Sequence, residues 1–294
     1  MKILLTGSNG QVGWELRRTL ACLGEVVAVD SKSLDLRDAD AIRRVVREVA
    51  PRVIVNPAAH TAVDKAESEV DLAYAINASA PGLLAEEAEK LGALLVHYST
   101  DYVFDGGGLS GNTRPWQEDD ATGPLNVYGA SKLAGEQAIR AACQRHLIFR
   151  TSWVYGARGA NFLLTMRRLM RERPELKIVA DQIGAPTWSR MLAEATALIL
   201  AQQFSPARGA DRPEPWGVYH MTNGGETSWH GFAEAIQTLD AHETQARLLP
   251  IPSSDYPTPA QRPLKSRLNN DKLARVFGVR LPDWRQALAL CMQA

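Results

Sequence analysis

A tyrosine and a lysine four residues apart, in the run Tyr128-Gly129-Ala130-Ser131-Lys132, are the first candidates for chemistry. On a helix that spacing puts a phenol and an ammonium on one face. To exchange a proton near neutrality a tyrosine must come down by roughly three units from about 10. That corresponds to on the order of 4 kcal/mol of preference for phenolate, which a nearby ammonium and a cofactor cation can supply. Taken alone, such a pair is a helix-surface contact of little consequence. Its neighbours in the sequence give it weight. Ser99 and Thr100 close an apolar run and put hydroxyls where open parallel sheets place their ligand crevices. Either hydroxyl suits a donor to a substrate carbonyl; the plain alternative is that Thr100 caps local backbone.

The strongest local signal is Thr6-Gly7-Ser8-Asn9-Gly10-Gln11-Val12-Gly13, set between an apolar run and a helix-length amphipathic stretch. Glycines here permit a tight turn, close approach of backbone N–H groups to a pyrophosphate, and tight packing of the helix on the sheet. The helix N-terminus adds partial positive charge. Asp30, about 20 positions on, falls where an acidic residue holds ribose hydroxyls. Its carboxylate repels a 2′-phosphate, but Ser31-Lys32 directly follow, so NADH and NADPH both stay open. A second glycine cluster, Gly106-Gly107-Gly108 with Gly111, runs into Pro115 and acidic residues instead of a helix and reads as a flexible loop.

The elements that must position these groups follow a βαβ rhythm. Strands are expected at Lys2 to Thr6, Glu25 to Val29, Val53 to Asn56, Leu94 to Ser99 and Leu147 to Thr151. Helices are expected at Gln11 to Leu23, Ala39 to Val49, Leu72 to Lys90 (with a bend at Pro81-Gly82) and from Leu125 to about Ala142. In the first helix Val12, Leu16, Leu20 and Leu23 share a face opposite Arg17 and Arg18. The rhythm breaks after Ser152, with turn-rich stretches at 205–215 and 249–263. The fold class is therefore α/β: a Rossmann-type doubly wound parallel sheet with a smaller mixed α/β substrate domain. Residues 1–152 form the dinucleotide-binding domain, joined by short strands from the second half, and 153–294 form mainly the substrate domain.

Bulk properties exclude other classes. With 33 basic and 33 acidic residues the chain of 294 carries no net charge, which argues for no nucleic-acid and no membrane partner. Cys22, Cys143 and Cys291 are odd in number and far apart, against a disulfide framework or zinc site and in favour of a reducing cytoplasmic setting. No signal segment or apolar run of membrane-spanning length is present. His60 and His97 lack metal-ligand spacing and read as packing or hydrogen-bonding residues. The arginines at 167, 168, 171 and 173 share a helix with Leu163, Met166, Leu169 and Met170 and read as a charged outer face.

The glycine turn, Ser99-Thr100-Asp101-Tyr102-Val103-Phe104-Asp105-Gly106 and the Tyr128/Lys132 pair resemble an extended short-chain dehydrogenase/reductase. Further segments narrow the resemblance to the dTDP-4-dehydrorhamnose reductase family: Asn56 to Glu67, Pro124 to Gly129, Arg150 to Gly156, Asp181 to Thr187, Tyr256 to Pro263 and Ser266 to Asn269. It spans nearly the whole chain. It implies reduction at C4 of a dTDP-linked 4-keto-sugar by NADPH or NADH, for cell-surface polysaccharide. Thr100 would bond the sugar carbonyl, Tyr128 protonate its oxygen and Lys132 grip the nicotinamide ribose.

The same resemblance places Gly7, Asn9, Gly10, Gln11 and Val12 around the cofactor pyrophosphate. Asp30, Asp35 and Leu36 fall at the adenosine end, and Ala58, Ala59 and Thr61 at the middle. Substrate contacts fall to Val103, Trp153 and Arg262, the last as a bidentate pyrophosphate clamp. Some relatives bridge a homodimer with magnesium, using glutamates on the first helix and near the carboxyl terminus. Here Glu15 stands alone, because Leu290 to Ala294 has no carboxylate side chain. No metal is expected, Glu15 reads as solvated, and a homodimer stays open. Two alternatives remain: a reductase of another nucleotide-linked 4-keto-6-deoxy sugar, and a non-catalytic, cofactor-binding regulatory subunit.

Overall fold

The structure, a computed structural model, describes residues 1–108, 111–205, 214–240 and 246–293. The middle of the turn-rich stretch at 205–215 and part of the glycine loop at 106–111 lie outside the described residues, as does Ala294.

Five strands come from the first half: β1 (Lys2–Leu5), β2 (Glu25–Ala28), β3 (Val53–Asn56), β4 (Leu94–Thr100) and β5 (His146–Thr151). They run parallel, with β1 between β2 and β3, then β4 and β5. The sheet has a sixth member, the strand Gly217–His220, parallel to β5 with Val218 opposite Ile148. Such a sheet is buried on both faces, which explains the near-continuous Val/Ile/Leu runs. One face packs α1 (Gln11–Thr19) together with the helices Ser189–Gln203 and Asp271–Phe277 through Leu16, Leu192, Ile199, Leu273 and Phe277. The other packs α2 (Ala39–Val49) and the helices Ala80–Leu91 and Val127–Ala142 through Ile42, Val46, Leu84 and Ile139. The first layer thus draws two helices as well as a strand from beyond residue 152.

Local sequence sets the boundaries. Asp38 caps α2, accepting from the N–H groups of Asp40 and Ala41 at 3.0 and 2.9 Å, and Ala50 in the left-handed region with Pro51 behind it stops the helix. The expected helix over 72–90 is interrupted, though not at Pro81: a wide π-turn at Ala75–Ser79 separates Val70–Tyr74 from Ala80–Leu91. Pro81 sits in the first turn of the latter helix, where its missing N–H costs nothing.

The remaining elements build a second core. The helices Phe162–Glu172, Trp229–Leu239 and Trp284–Met292 pack Leu163, Met166, Phe232, Ile236, Trp284 and Leu288 around the parallel strands Glu175–Val179 and Arg247–Ile251. The cleft between the two cores holds the site. No described helix is long and apolar enough to cross a membrane.

Candidate active site

The glycine turn opens one end of a cleft of about 770 Å³. Gly7 has φ +54°, and a Cβ on it would lie 2.8 Å from Ala58 Cα, so no other residue fits between β1 and the loop after β3. Gly13 is tighter still: a Cβ would lie 2.1 Å from the Gly7 carbonyl oxygen. Gly10 precedes α1 in an extended conformation, and no side chain caps the helix. The first N–H groups of α1 are therefore left for an anion, and the cradle fits the pyrophosphate of a dinucleotide. At the adenosine end Asp30 accepts from Asn9 Nδ2 at 2.6 Å and from the backbone of Lys32 and Ser33. Those backbone bonds hold its carboxyl below the usual range. Asp35 is forked by Arg37, whose hydrogen bonds bring it to about 2. Every residue expected around the cofactor lines this one cleft.

The middle of the cleft is made by the helix Val127–Ala142. Asn126 caps it, accepting from Gly129 N at 2.8 Å while its own amide donates to the Gln261 carbonyl at 2.7 Å. Gly129 is required by a close approach, since a Cβ would lie 2.2 Å from the Tyr102 carbonyl oxygen. The helix start is thereby pressed against the end of β4, with Tyr128 edge-on to Tyr102 at 5.5 Å. Tyr128 and Lys132 both line the cleft, together with Ser99, Thr100 and Asp101.

Their electrostatics differ from what the spacing alone suggests. Burial pushes Tyr128 up to about 12, against a hydrogen bond with Thr100. It pushes Lys132 down to about 7, against the charge of Glu136 one turn on. The Lys132 amine donates to the Tyr98 carbonyl at 2.7 Å and lies 3.0 Å from His97 Nε2. In this state the phenol is a loaded acid, not a phenolate. Asp101, to which the sequence assigns no role, is raised to about 7 by burial, with the Ser266 and Thr100 hydroxyls opposing. Thr100 donates to its Oδ1 at 3.0 Å. Thr100 also accepts from Tyr102 N at 3.2 Å, so it caps the turn and faces the cleft at once.

The far end is aromatic. Trp153 has φ +47°, a left-handed conformation that a bulky residue adopts only when its surroundings impose it. Trp229 stacks on it at 3.6 Å and 6°, and Gly184 lies flat beneath the indole, leaving no room for a Cβ. Trp229 lines the cleft too; nothing in the sequence pairs it with Trp153.

Three residues sit differently from what the resemblance implies. The Val103 side chain is fully buried with Phe104, Trp116 and Leu268, and offers a ligand no surface. Arg262 does not line the cleft. Its fork is taken by Asp64, with bonds of 3.0 and 2.7 Å. Glu15 is not solvated: it is buried and accepts from Arg190 Nε at 3.2 Å. No cluster of three or more metal-ligating side chains occurs among the described residues. Both histidines are hydrogen-bonded; His60 Nε2 lies 2.9 Å from Glu69.

A parallel sheet with a dinucleotide turn on one side of its switch point and a Tyr–Lys helix on the other is the plan of the short-chain dehydrogenase/reductases. The second core places the chain in their extended branch. More narrowly, it belongs to the family described as RmlD substrate binding domain, whose model matches residues 1–294. It is 51% identical to a dTDP-4-dehydrorhamnose reductase of Burkholderia thailandensis, over 100% of this chain and 98% of that protein. It superposes on the crystal structure of such a reductase from Clostridium acetobutylicum with a TM-score of 0.91 at 37% identity, covering 100% and 99% of the two chains. The corresponding Bacillus anthracis reductase, solved in complex with NADP, gives 0.90 at 35%, covering 99% and 98%.

Proposed function

We propose that this protein reduces the C4 carbonyl of dTDP-4-dehydro-L-rhamnose to give dTDP-L-rhamnose for cell-surface polysaccharide, using NADPH or NADH. The observation that carries the reading is the single cleft that joins the uncapped start of α1 to Thr100, Tyr128, Lys132 and Trp153. Dinucleotide, proton donor and a flat apolar platform for a sugar are thereby brought together.

The nicotinamide cofactor, when bound, supplies the hydride that adds to C4. The protein's residues do the rest. Backbone N–H groups of Gln11 and Val12 at the start of α1 hold the pyrophosphate, and Asp30 accepts from the adenosine ribose. Thr100 Oγ1 turns its one proton from Asp101 Oδ1 to the sugar carbonyl oxygen and fixes it against Tyr128. Tyr128 Oη gives that oxygen its proton as charge develops there. A phenol near 12 is a weak acid, so Lys132 must act in its charged form, swung from the Tyr98 carbonyl towards the nicotinamide ribose and the phenol, to stabilise the phenolate left behind. Trp153 on its Trp229 backing covers the sugar and excludes water. Arg262 reaches the substrate pyrophosphate only by exchanging Asp64 for it.

Incubation of the protein with each reduced cofactor and the 4-keto-sugar, with NMR of the product, tests this. The reading predicts cofactor oxidation and a rhamnose-configured product. A talose-configured product would assign the chain to a sister reductase, and no oxidation of either cofactor would leave a regulatory protein.

A further inference from the structure

Lys132 is joined to the glycine turn by a chain of buried polar side chains. Thr6 Oγ1 donates to Asn56 Oδ1 at 2.5 Å, Asn56 Nδ2 lies 3.1 Å from His97 Nδ1, and His97 Nε2 lies 3.0 Å from Lys132 Nζ. Thr6, Asn56, His97 and Lys132 are each at most 1% exposed. They come from four elements side by side: the end of β1, the end of β3, the middle of β4 and the Tyr128 face of the helix Val127–Ala142. The register sets Asn56 directly across from His97. Three buried polar residues at adjoining positions at the ends of β1 and β3 and on β4 incur a desolvation cost that hydrophobic residues would avoid.

Donor and acceptor counting gives the chain a direction. Burial, then the nearby Lys132 charge, holds the His97 imidazole neutral, well below its usual range, so one ring nitrogen donates and the other accepts. With Asn56 Oδ1 taken by Thr6, the Asn56 amide donates to Nδ1. The ring proton is then on Nε2, pointing at a lysine nitrogen that must be a neutral amine to receive it. A charged Lys132 demands the reverse: Nε2 accepts, Nδ1–H donates to Asn56 Oδ1, and the Asn56 amide donates to Thr6. Rotating one amide and moving the ring proton connects the two arrangements.

We infer that His97, fixed by Asn56, is a positioning residue of the proposed reduction: it holds Lys132 Nζ on the Tyr128 side of its helix, and the direction of the Thr6–Asn56–His97–Lys132 chain follows the charge on the lysine. The inference rests on Lys132 serving the reaction as described above. The other titratable groups about this lysine are Tyr128 and Glu136 on its own helix, Asp101 after β4, and Arg150 on β5, which is paired to Glu136. None of these is substituted in the variants below, and Tyr128 titrates far to the alkaline side.

The test compares wild type, His97→Leu and His97→Gln by the pH dependence of kcat/KM, alongside nitrogen-15 NMR of histidine-labelled wild-type protein without ligands. His97→Leu removes the acceptor of a charged donor. The alkaline limb should move towards acid by roughly one to two pH units, and His97→Gln, with both an acceptor and a donor, should bring it back towards the wild-type position. A merely structural histidine would lower the melting temperature and leave the limb in place. In the NMR spectra His97 should be neutral throughout, with its proton on Nδ1 below the limb and on Nε2 above it. An unmoved limb in folded His97→Leu overturns the inference; so does a doubly protonated His97, or one tautomer on both sides of the limb. Because the NMR arm needs neither substrate nor variant, it stands whether or not His97→Leu folds. A wild type inactive on the keto-sugar would refute the proposed function without bearing on the spectra.

Discussion

Replacing Gly13 by alanine is the sharpest perturbation of the cofactor cradle. The added Cβ would sit 2.1 Å from the Gly7 carbonyl oxygen and 2.8 Å from its carbon, both main-chain atoms of the turn itself. Ordinary carbon–oxygen contact needs more than 3 Å, so helix and turn must separate by on the order of 1 Å. Neither partner is the tip of a flexible side chain that could swing aside. Forcing a methyl into packed backbone costs about 1–3 kcal/mol. Because the turn and the helix start together form the pyrophosphate cradle, a similar loss should fall on cofactor affinity, a rise in Kd of roughly 5- to 150-fold. Gly10→Ala is the control for simple crowding, since its Cβ meets nothing closer than 3.3 Å and should cost the fold far less. Thermal melts and quenching of tryptophan fluorescence by NADPH and NADH read the two losses separately. A Gly13→Ala protein that melts like wild type and binds both cofactors with unchanged Kd would refute the assignment of this turn.

Two further predictions concern the catalytic helix. Glu136 and Arg150 are paired bidentately at 2.9 and 2.7 Å with almost no exposure. Glu136→Gln strands a buried guanidinium and should cost about 3–5 kcal/mol, a drop in melting temperature of roughly 6–20 °C by differential scanning calorimetry. Lys132 gives a pH signature. Its folded pKa, about 7, lies below its unfolded value, so between about pH 7 and 10 the unfolded chain binds the extra proton and stability rises with pH. Denaturant titrations should show that rise in wild type and its loss in Lys132→Met; parallel curves for the two proteins would contradict the burial assigned to the amine.

Most of the sheet was legible because each strand end carries its own punctuation. Pro51 and the Asp38 cap bound α2, and Asn126 starts the Tyr128 helix at the expected place. The sixth strand, Gly217–His220, was expected only as an unplaced short strand from the second half, because four residues after a turn-rich stretch carry no period of their own. In the site, local spacing sufficed for the glycine turn and for Tyr128 with Lys132, whose partners are near in sequence. What escaped was set by tertiary contact. Glu15 meets Arg190 across 175 residues and Arg262 meets Asp64 across 198, and neither pairing leaves a mark in the sequence around it. The same holds for the Trp153–Trp229 stack and for the His97–Lys132 contact. The raised phenol pKa escaped for another reason, because desolvation depends on what covers a group, not on its spacing.

The central claim is that Tyr128 delivers the proton when the keto-sugar is reduced. Steady-state turnover of dTDP-4-dehydro-L-rhamnose by Tyr128→Phe, with cofactor Kd measured on the same sample, tests it most directly. Turnover at least 10²-fold below wild type with Kd nearly unchanged is the expected result; a variant that turns over as wild type does would contradict it.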